Sequence, residues 1–491
     1  MKKISLFLIL CSIAISSCEQ DQNGINTSYY NEADGGLILE NPGDQYNEYQ
    51  ENPFVSTAEQ PVSTFSIDAD GASYANVRRF IMQDNMLPPK AAVRTEELFN
   101  YFDMDYDFDN PDHPIALNGE LSICPWDESH ELIRIGIKGK KMDEQNRPAS
   151  NYVFLIDVSG SMASEDKLDL LKNGFLYLTD QLNKNDRIAI VTYAGQAGVL
   201  LPSTSGADKQ KIKTAINKLG AGGSTAGAQG IITAYEIAQQ NFIENGNNRI
   251  VIGTDGDFNV GPSSQEDLVK LIEEKRELGV FITVLGVGRG NLNDGMLEQI
   301  ANNGNGTFEY LDTPNQLKKV FIHDFGKFYA VAKDVKVQVN FNPEVVDQYR
   351  LIGYENRVLN EEDFEDDTKD AGEIGAGQNI TALYEIIPKP NSKKSTTEAF
   401  NIDFRYKLPS GITSTPLGLS INGNATSFEQ SSGFMKFNVS LAGFGMLLID
   451  SPYKGTTSFS SVKKWAEEAH LADPFGYKQE YLEILKRAET Y

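Results

Sequence analysis

The sequence predicts an α/β protein: a doubly wound, mainly parallel sheet at its centre, with α+β, sandwich-like regions before and after it. Three observations carry this reading. From about residue 150 to 330, short apolar runs alternate with segments of helical spacing, the pattern of a parallel sheet clothed by helices. On either side, in 115–138 and 335–421, apolar residues fall at every second position, as in strands with one buried face. The length, 491 residues, exceeds what one hydrophobic core serves, so several domains are expected.

Residues 1–18 open with Lys2-Lys3 and a mostly apolar stretch from Ile4 to Ile15. That stretch is too short to span a hydrocarbon layer of roughly 30 Å. It ends in Ile15-Ser16-Ser17-Cys18, which resembles the bacterial lipobox. The resemblance implies a lipoprotein signal, cleavage before Cys18 and lipid on its sulfur. The chain would then be a lipid-anchored protein of the bacterial cell envelope. Residues 19–62 are rich in Asn, Gln, Glu, Ser and Gly without sustained periodicity, and read as a flexible tether. As a coil it would reach about 35 Å root-mean-square.

Residues 63–145 read as a folded N-terminal domain. Ser73 to Met86 has helical spacing with Val77, Phe80 and Ile81 on one face, and Val93 to Phe102 suggests a second helix. Two β-like runs follow, 115–124 and 131–138. In the second, Ile133, Ile135 and Ile137 alternate with Arg134 and Gly136. Asp68-Ala69-Asp70-Gly71 begins like a calcium loop but lacks the further carboxylate and closing Glu, so it reads as a turn before the helix.

The central domain, 150–330, has continuous apolar strands at 153–156, 188–193, 250–252 and 280–287. Leu168, Leu171, Phe175, Leu178 and Leu182 mark one helix face, and Leu268, Leu271 and Ile272 another. Residues 198–202 follow a strand after a short turn, as an antiparallel edge strand would. The C-terminal region, 331–491, returns to alternation, then offers an apolar helix at 434–448 and terminal helices near 465–469 and 480–487. The β-runs on both sides of the central domain are expected to pair into one sandwich into which that domain is inserted. Its last helix, about 317–328, would lead into that sandwich.

Charge and cysteine usage narrow the partners. The formal net charge is −25 and no basic patch offsets it, so nucleic acid is excluded as an expected partner, and membrane attachment must come from lipid. Cys11 lies in the leader and Cys18 takes the lipid, leaving Cys124 as a small buried residue with no cysteine to pair with.

One constellation carries chemistry. A buried strand runs into Asp157-Val158-Ser159-Gly160-Ser161, one carboxylate and two hydroxyls at alternate positions. In extended backbone these point the same way, just beyond the carboxyl end of a parallel strand, where open α/β sheets bind ligands. Gly220-Ala221-Gly222-Gly223-Ser224-Thr225 brings another hydroxyl, and Thr254-Asp255-Gly256-Asp257 another carboxylate. Such hard oxygens suit Mg²⁺, Mn²⁺ or Ca²⁺. The four histidines, His113, His130, His323 and His470, are scattered and form no ligand pair.

Together, Asp-x-Ser-x-Ser, Gly-Gly-Ser-Thr and Thr-Asp-Gly resemble the metal-ion-dependent adhesion site of von Willebrand factor A domains, a Rossmann-like fold. The resemblance implies a divalent metal, Mg²⁺ foremost, held by Asp157, Ser159, Ser161, Thr225 and Asp255. It also implies a protein ligand that presents an acidic residue to that metal. Further segments, among them Asp255 to Gly261, Asp367 to Gly375 and Asp473 to Tyr477, resemble a bacterial lipoprotein family often labelled calcium-activated chloride channel homologues. The channel label finds no support, since no helix after the leader is long and apolar enough to span.

The chain is therefore expected to bind rather than to catalyse. A scaffold of an envelope complex, with a structural or vestigial metal site, is the alternative. A metal-dependent hydrolase would need a general base, for which Asp257 is the candidate. A phosphoryl-accepting aspartate would need a lysine that the sequence alone does not place.

Overall fold

In the computed structural model, the described residues are 43–143, 145–194, 196–223, 227–256, 265–276, 278–390, 399–421 and 424–491. The leader, Cys18 and the tether up to residue 42 lie outside them. The described strands make three sheets.

The central sheet runs, edge to edge, Thr307–Leu311, Phe281–Val287, Asn247–Thr254, Ser150–Asp157, Arg187–Ala194 and Gln196–Ser205. Its first five strands are parallel and the last is antiparallel, as the short turn after the Arg187–Ala194 strand requires. Period-two geometry sends Tyr152, Phe154 and Ile156 to one face, against Leu171, Phe175 and Leu178 of the Leu170–Gln181 helix. Val153 and Leu155 take the other face, against Ile231 and Ala234 of the Gly227–Gln240 helix and Leu297 and Ile300 of the Asp294–Asn303 helix. Each such side chain contributes roughly 1.5–3 kcal/mol by leaving water. A strand buried on both faces needs no polar alternation, which is why Val153 to Ile156 is a continuous apolar run.

The other two sheets are antiparallel and face each other. One orders Val55–Ser56, Val346–Ile352, Asn379–Pro388, Glu131–Gly139 and Ile115–Ile123; the other orders Val358–Leu359, Val62–Ser66, Ala330–Phe341, Phe400–Lys407 and Thr415–Leu419. Ile133, Ile135 and Ile137 of the first meet Val337, Val339, Ile402 and Phe404 of the second in one core. Leu132 and Leu383, of opposite parity, face the Gly433–Leu448 helix with Phe437, Leu441 and Phe444. The helices Phe459–Glu468 and Tyr477–Ala488 complete that layer, through Val462, Trp465, Tyr481 and Ile484. Among the described residues no helix is long and apolar enough to cross a membrane.

The N-terminal (63–145) and C-terminal (331–491) regions share sheets: Asn379–Pro388 pairs with Glu131–Gly139, and Ala330–Phe341 pairs with Val62–Ser66. The central domain is inserted into the sandwich so formed, and its last strand passes through Pro314–Lys318, a π turn at Lys319–His323 and a 3₁₀ turn at Phe325–Phe328 directly into Ala330–Phe341. The tether, drawn to residue 62, ends earlier. From Gly43 on the chain is docked: Gln45 N–H donates to Leu292 O at 2.7 Å, and Val55 pairs with Tyr349. Asp68 accepts from the N–H of Asp70 at 2.8 Å, and the Ala72–Arg79 helix follows, so this loop is the expected turn. Cys124 is buried, and burial pushes its thiol up.

Candidate metal centre

The centre is assembled where the Ser150–Asp157 strand ends. Asp157 is fully buried and Asp255, just past the neighbouring Asn247–Thr254 strand, is equally so. Parallel pairing of these strands, Ile156 opposite Gly253, is what brings the two carboxylates to one end of the sheet. Ser159 N–H donates to Asp157 Oδ1 at 2.9 Å and Thr254 Oγ1 donates to Oδ2 at 3.1 Å, so the Asp157 side chain is fixed by both its oxygens. The hydroxyls of Ser159 and Ser161 lie 3.0 Å apart. Ser159 is buried whereas Ser161 is exposed, so the cluster opens to the surface on the Ser161 side.

The glycine-rich segment is laced to this turn. Gly222 N–H donates to Val158 O at 2.7 Å, and Gly160 N–H donates to Gly223 O at 3.1 Å. Thr225, two residues on, lies outside the described residues, as does Asp257.

Three features escaped the sequence. Lys167 donates its ammonium to Asp255 Oδ2 at 3.0 Å and to Asn291 Oδ1 at 2.6 Å. Asn291 Nδ2 donates to the same Asp255 oxygen at 2.9 Å. Thr254 serves as a donor to Asp157, beside its place in the Thr-Asp-Gly motif. Asn291 sits in the loop after the Phe281–Val287 strand, whose carboxyl end adjoins the site; that position is the signal that could have found it. The lysine that a phosphoryl-type site would need is thus present, but it pairs with Asp255.

The two carboxylates are driven apart. Burial raises the Asp157 carboxyl, and Asp255 adds to this against the donors Ser159 and Thr254. Burial also acts to raise Asp255, but Asn291, the Lys167 charge and the Ser161 hydroxyl outweigh it and hold Asp255 below the usual carboxylate range. Among the described residues no group of three or more His, Cys, Asp or Glu side chains is set to hold a metal ion. The donor set fits a hard divalent ion in another way, through two carboxylates and two adjacent hydroxyls whose oxygens already converge. These four would hold such an ion, and the ion would supply a Lewis-acid point open to an incoming oxygen ligand.

Comparison with known proteins identifies the central domain and the family. The von Willebrand factor type A domain model matches residues 151–322, a model described as von Willebrand factor matches 40–134, and one described as Uncharacterized protein YfbK, C-terminal, matches 326–491. The Uncharacterized protein YfbK of Escherichia coli is 40% identical over 480 residues, covering 92% of this chain and 82% of that protein. The Uncharacterized protein sll0103 of Synechocystis is 26% identical over 193 residues, covering 39% of this chain and 45% of that one. Among solved structures, von Willebrand factor type A from Catenulispora acidiphila matches 78% of this chain and 91% of its own at 15% identity and TM-score 0.45. BatB from Bacteroides thetaiotaomicron matches 37% and 98% at 23% identity and TM-score 0.31. With its centre matched as a type A domain and most of its length matched to one relative, the chain belongs to the family of Escherichia coli YfbK, bacterial proteins built around a von Willebrand factor type A domain.

Proposed function

We propose that the protein is a lipid-anchored receptor of the bacterial cell envelope. It would be held at the membrane through Cys18 and would bind a protein ligand through a divalent metal at Asp157, Ser159, Ser161, Thr225 and Asp255. Type A domains imply metal-dependent protein interaction in general. The observation that supports the finer reading is the convergence of Asp157, Ser159, Ser161 and Asp255 at the open carboxyl end of the sheet, with the two hydroxyls 3.0 Å apart. Two carboxylates and neutral hydroxyls make a hard, all-oxygen match to a small dication, so Mg²⁺ is the favoured ion and a ligand carboxylate the favoured completing group. The role is binding rather than turnover. His113, His130 and His323 take Tyr406, Glu385 and Tyr477 as their hydrogen-bond partners, and none of these contacts is with Ser159 or Ser161.

The test is calorimetric. The full chain in detergent is titrated with Mg²⁺, Mn²⁺ and Ca²⁺, beside Asp157→Ala and Thr225→Ala. Saturable one-site binding in the wild type, lost in both variants, is the expected result. Heats indistinguishable from dilution for all three ions would sink the reading. The Lys167–Asp255 pair favours one second reading, a scaffold whose centre is stabilised by an ammonium in place of a metal. That reading expects no metal heat and a fold unaffected by chelators.

A further inference from the structure

We propose that Lys167 is a specificity-determining residue of the metal centre: its fixed positive charge weakens metal binding and makes the bound metal depend on an anionic ligand. The inference rests on the metal-binding reading above.

Lys167 is built into place rather than drifting at the surface. Its side chain is 8% exposed and its partner Asp255 0%. The lysine stem lies across Gly288, where a Cβ would come within 2.2 Å of Lys167 Cε. Gly288 holds φ at +78°, so both the slot and the backbone that forms it require glycine. At the far end of the stem, Asn291 accepts from the ammonium and donates to Asp255 Oδ2, closing a three-residue ring of hydrogen bonds. An exposed ion pair would be a weak and mobile contact; this one is buried and held at three points.

The charge consequence follows directly. Two carboxylates, Asp157 and Asp255, carry the negative charge of the described centre, and one of them is shared with an ammonium. Against a dication, the cluster of Asp157, Asp255 and Lys167 therefore offers one net negative charge. The ammonium also repels the ion across the width of a single carboxylate. An ion bound there stays under-neutralised, and the incoming group that compensates it best is itself anionic, such as a ligand Asp or Glu. With Lys167 absent, the two carboxylates would balance the dication, and a neutral water would complete the shell as well as a carboxylate does.

This gives an effect whose sign separates it from a merely structural role. If Lys167 only braced Asp255, removing it would loosen the site and weaken metal binding. If it acts through charge, removing it tightens metal binding and weakens capture of the anion. The experiment titrates Mn²⁺ into the full chain in detergent at low ionic strength, in wild type and Lys167→Met. Acetate is then titrated against each Mn²⁺-loaded protein, read by water-proton relaxation. The expected result is Mn²⁺ affinity raised roughly tenfold or more in Lys167→Met, the scale of one unit charge at this range. Acetate affinity should fall severalfold at the same time. Should Lys167→Met fail to fold, Lys167→Gln decides, since its amide can still donate to Asp255 and Asn291 but carries no charge, and it must also tighten Mn²⁺. Unchanged or weaker Mn²⁺ binding in a variant that melts like wild type overturns the inference and leaves the metal reading intact. No Mn²⁺ binding by the wild type overturns both.

Discussion

Gly43 stands so close to Gly290 that a Cβ on Gly43 would lie 1.5 Å from the Gly290 carbonyl oxygen. The contact begins a clasp. Asp44 Oδ1 accepts from the N–H groups of Gly290 at 2.7 Å and Leu292 at 3.1 Å, while its Oδ2 pairs with Arg79 at 2.9 Å. The clasped loop is the one that carries Asn291 to Asp255. Gly43→Val is expected to lift this clasp, because the obstacle is backbone and cannot swing aside. Losing two hydrogen bonds to a charged group corresponds to about 3–6 kcal/mol of local stability. Amide hydrogen exchange at Gly290 and Leu292 should accelerate at least tenfold, with the central strands unaffected; unchanged exchange there would show the clasp to be unimportant.

Metal removal should be visible in stability. A ligand that binds the folded state alone stabilises it by about 2.7 kcal/mol at a hundred times its dissociation constant. Saturating Mg²⁺ should therefore raise the melting temperature by at least about 2 °C, and a chelator should reverse the rise. Asp157→Ala and Ser159→Ala should each abolish the shift. A shift that survives in both variants would place the responsive ion elsewhere.

Regular elements were legible in the sequence, and tertiary docking was not. Val153 to Ile156 and the Ile133, Ile135, Ile137 series announce themselves because burial on sheet faces imposes a period, and the structure places them so. Asp157 and Asp255 were legible because they close or directly follow parallel strands, whereas Ser161 reaches Ser159 through a 3₁₀ turn at Gly160–Ala163 and not through the extended backbone expected. Residues 43–62 were read as tether because their order comes from backbone hydrogen bonds and buried ion pairs such as Asp44–Arg79, which leave no periodic trace. The role of Lys167 was hidden for a related reason. Its partner Asn291 is supplied by a loop far along the chain, and only the strand order of the central sheet brings the two together.

Stability should fall as pH rises through the weakly acidic range. Burial pushes the Glu355 carboxyl up to about 7, with Glu51 adding and Arg350 opposing, and burial beside Glu355 raises Glu96 as well. A carboxyl that keeps its proton in the fold but loses it on unfolding favours the fold at low pH. That contribution is complete below the ordinary carboxylate value and is lost as pH climbs to about 7. Glu355→Gln cannot ionise, so its melting temperature should match wild type near pH 4.5 and exceed it at pH 7.5. Calorimetric scans across this range decide it; parallel curves for the two proteins would refute the assignment.

Arg94 is the rivet between the inserted type A domain and the helices that precede it. Its Nη1 donates to Asp294 Oδ1 at 2.6 Å, its Nε pairs with Glu97, and Glu298 lies at 3.6 Å from the same guanidinium. Asn76 adds a bond to Asp294 Oδ2 at 3.1 Å, and all these carboxylates are buried. Arg94→Met leaves three buried carboxylates without their shared cation, so a loss of about 3–5 kcal/mol is expected, the usual cost of removing one partner from a buried pair. Asp294→Asn alone should cost less, because Arg94 keeps Glu97 and Glu298. The double variant should be more stable than the sum of the single losses implies, since the charge that Arg94 neutralised is then partly gone. Denaturant unfolding of the four proteins measures this coupling. Strict additivity would mean that the two residues do not share the interaction that joins the inserted domain to its frame.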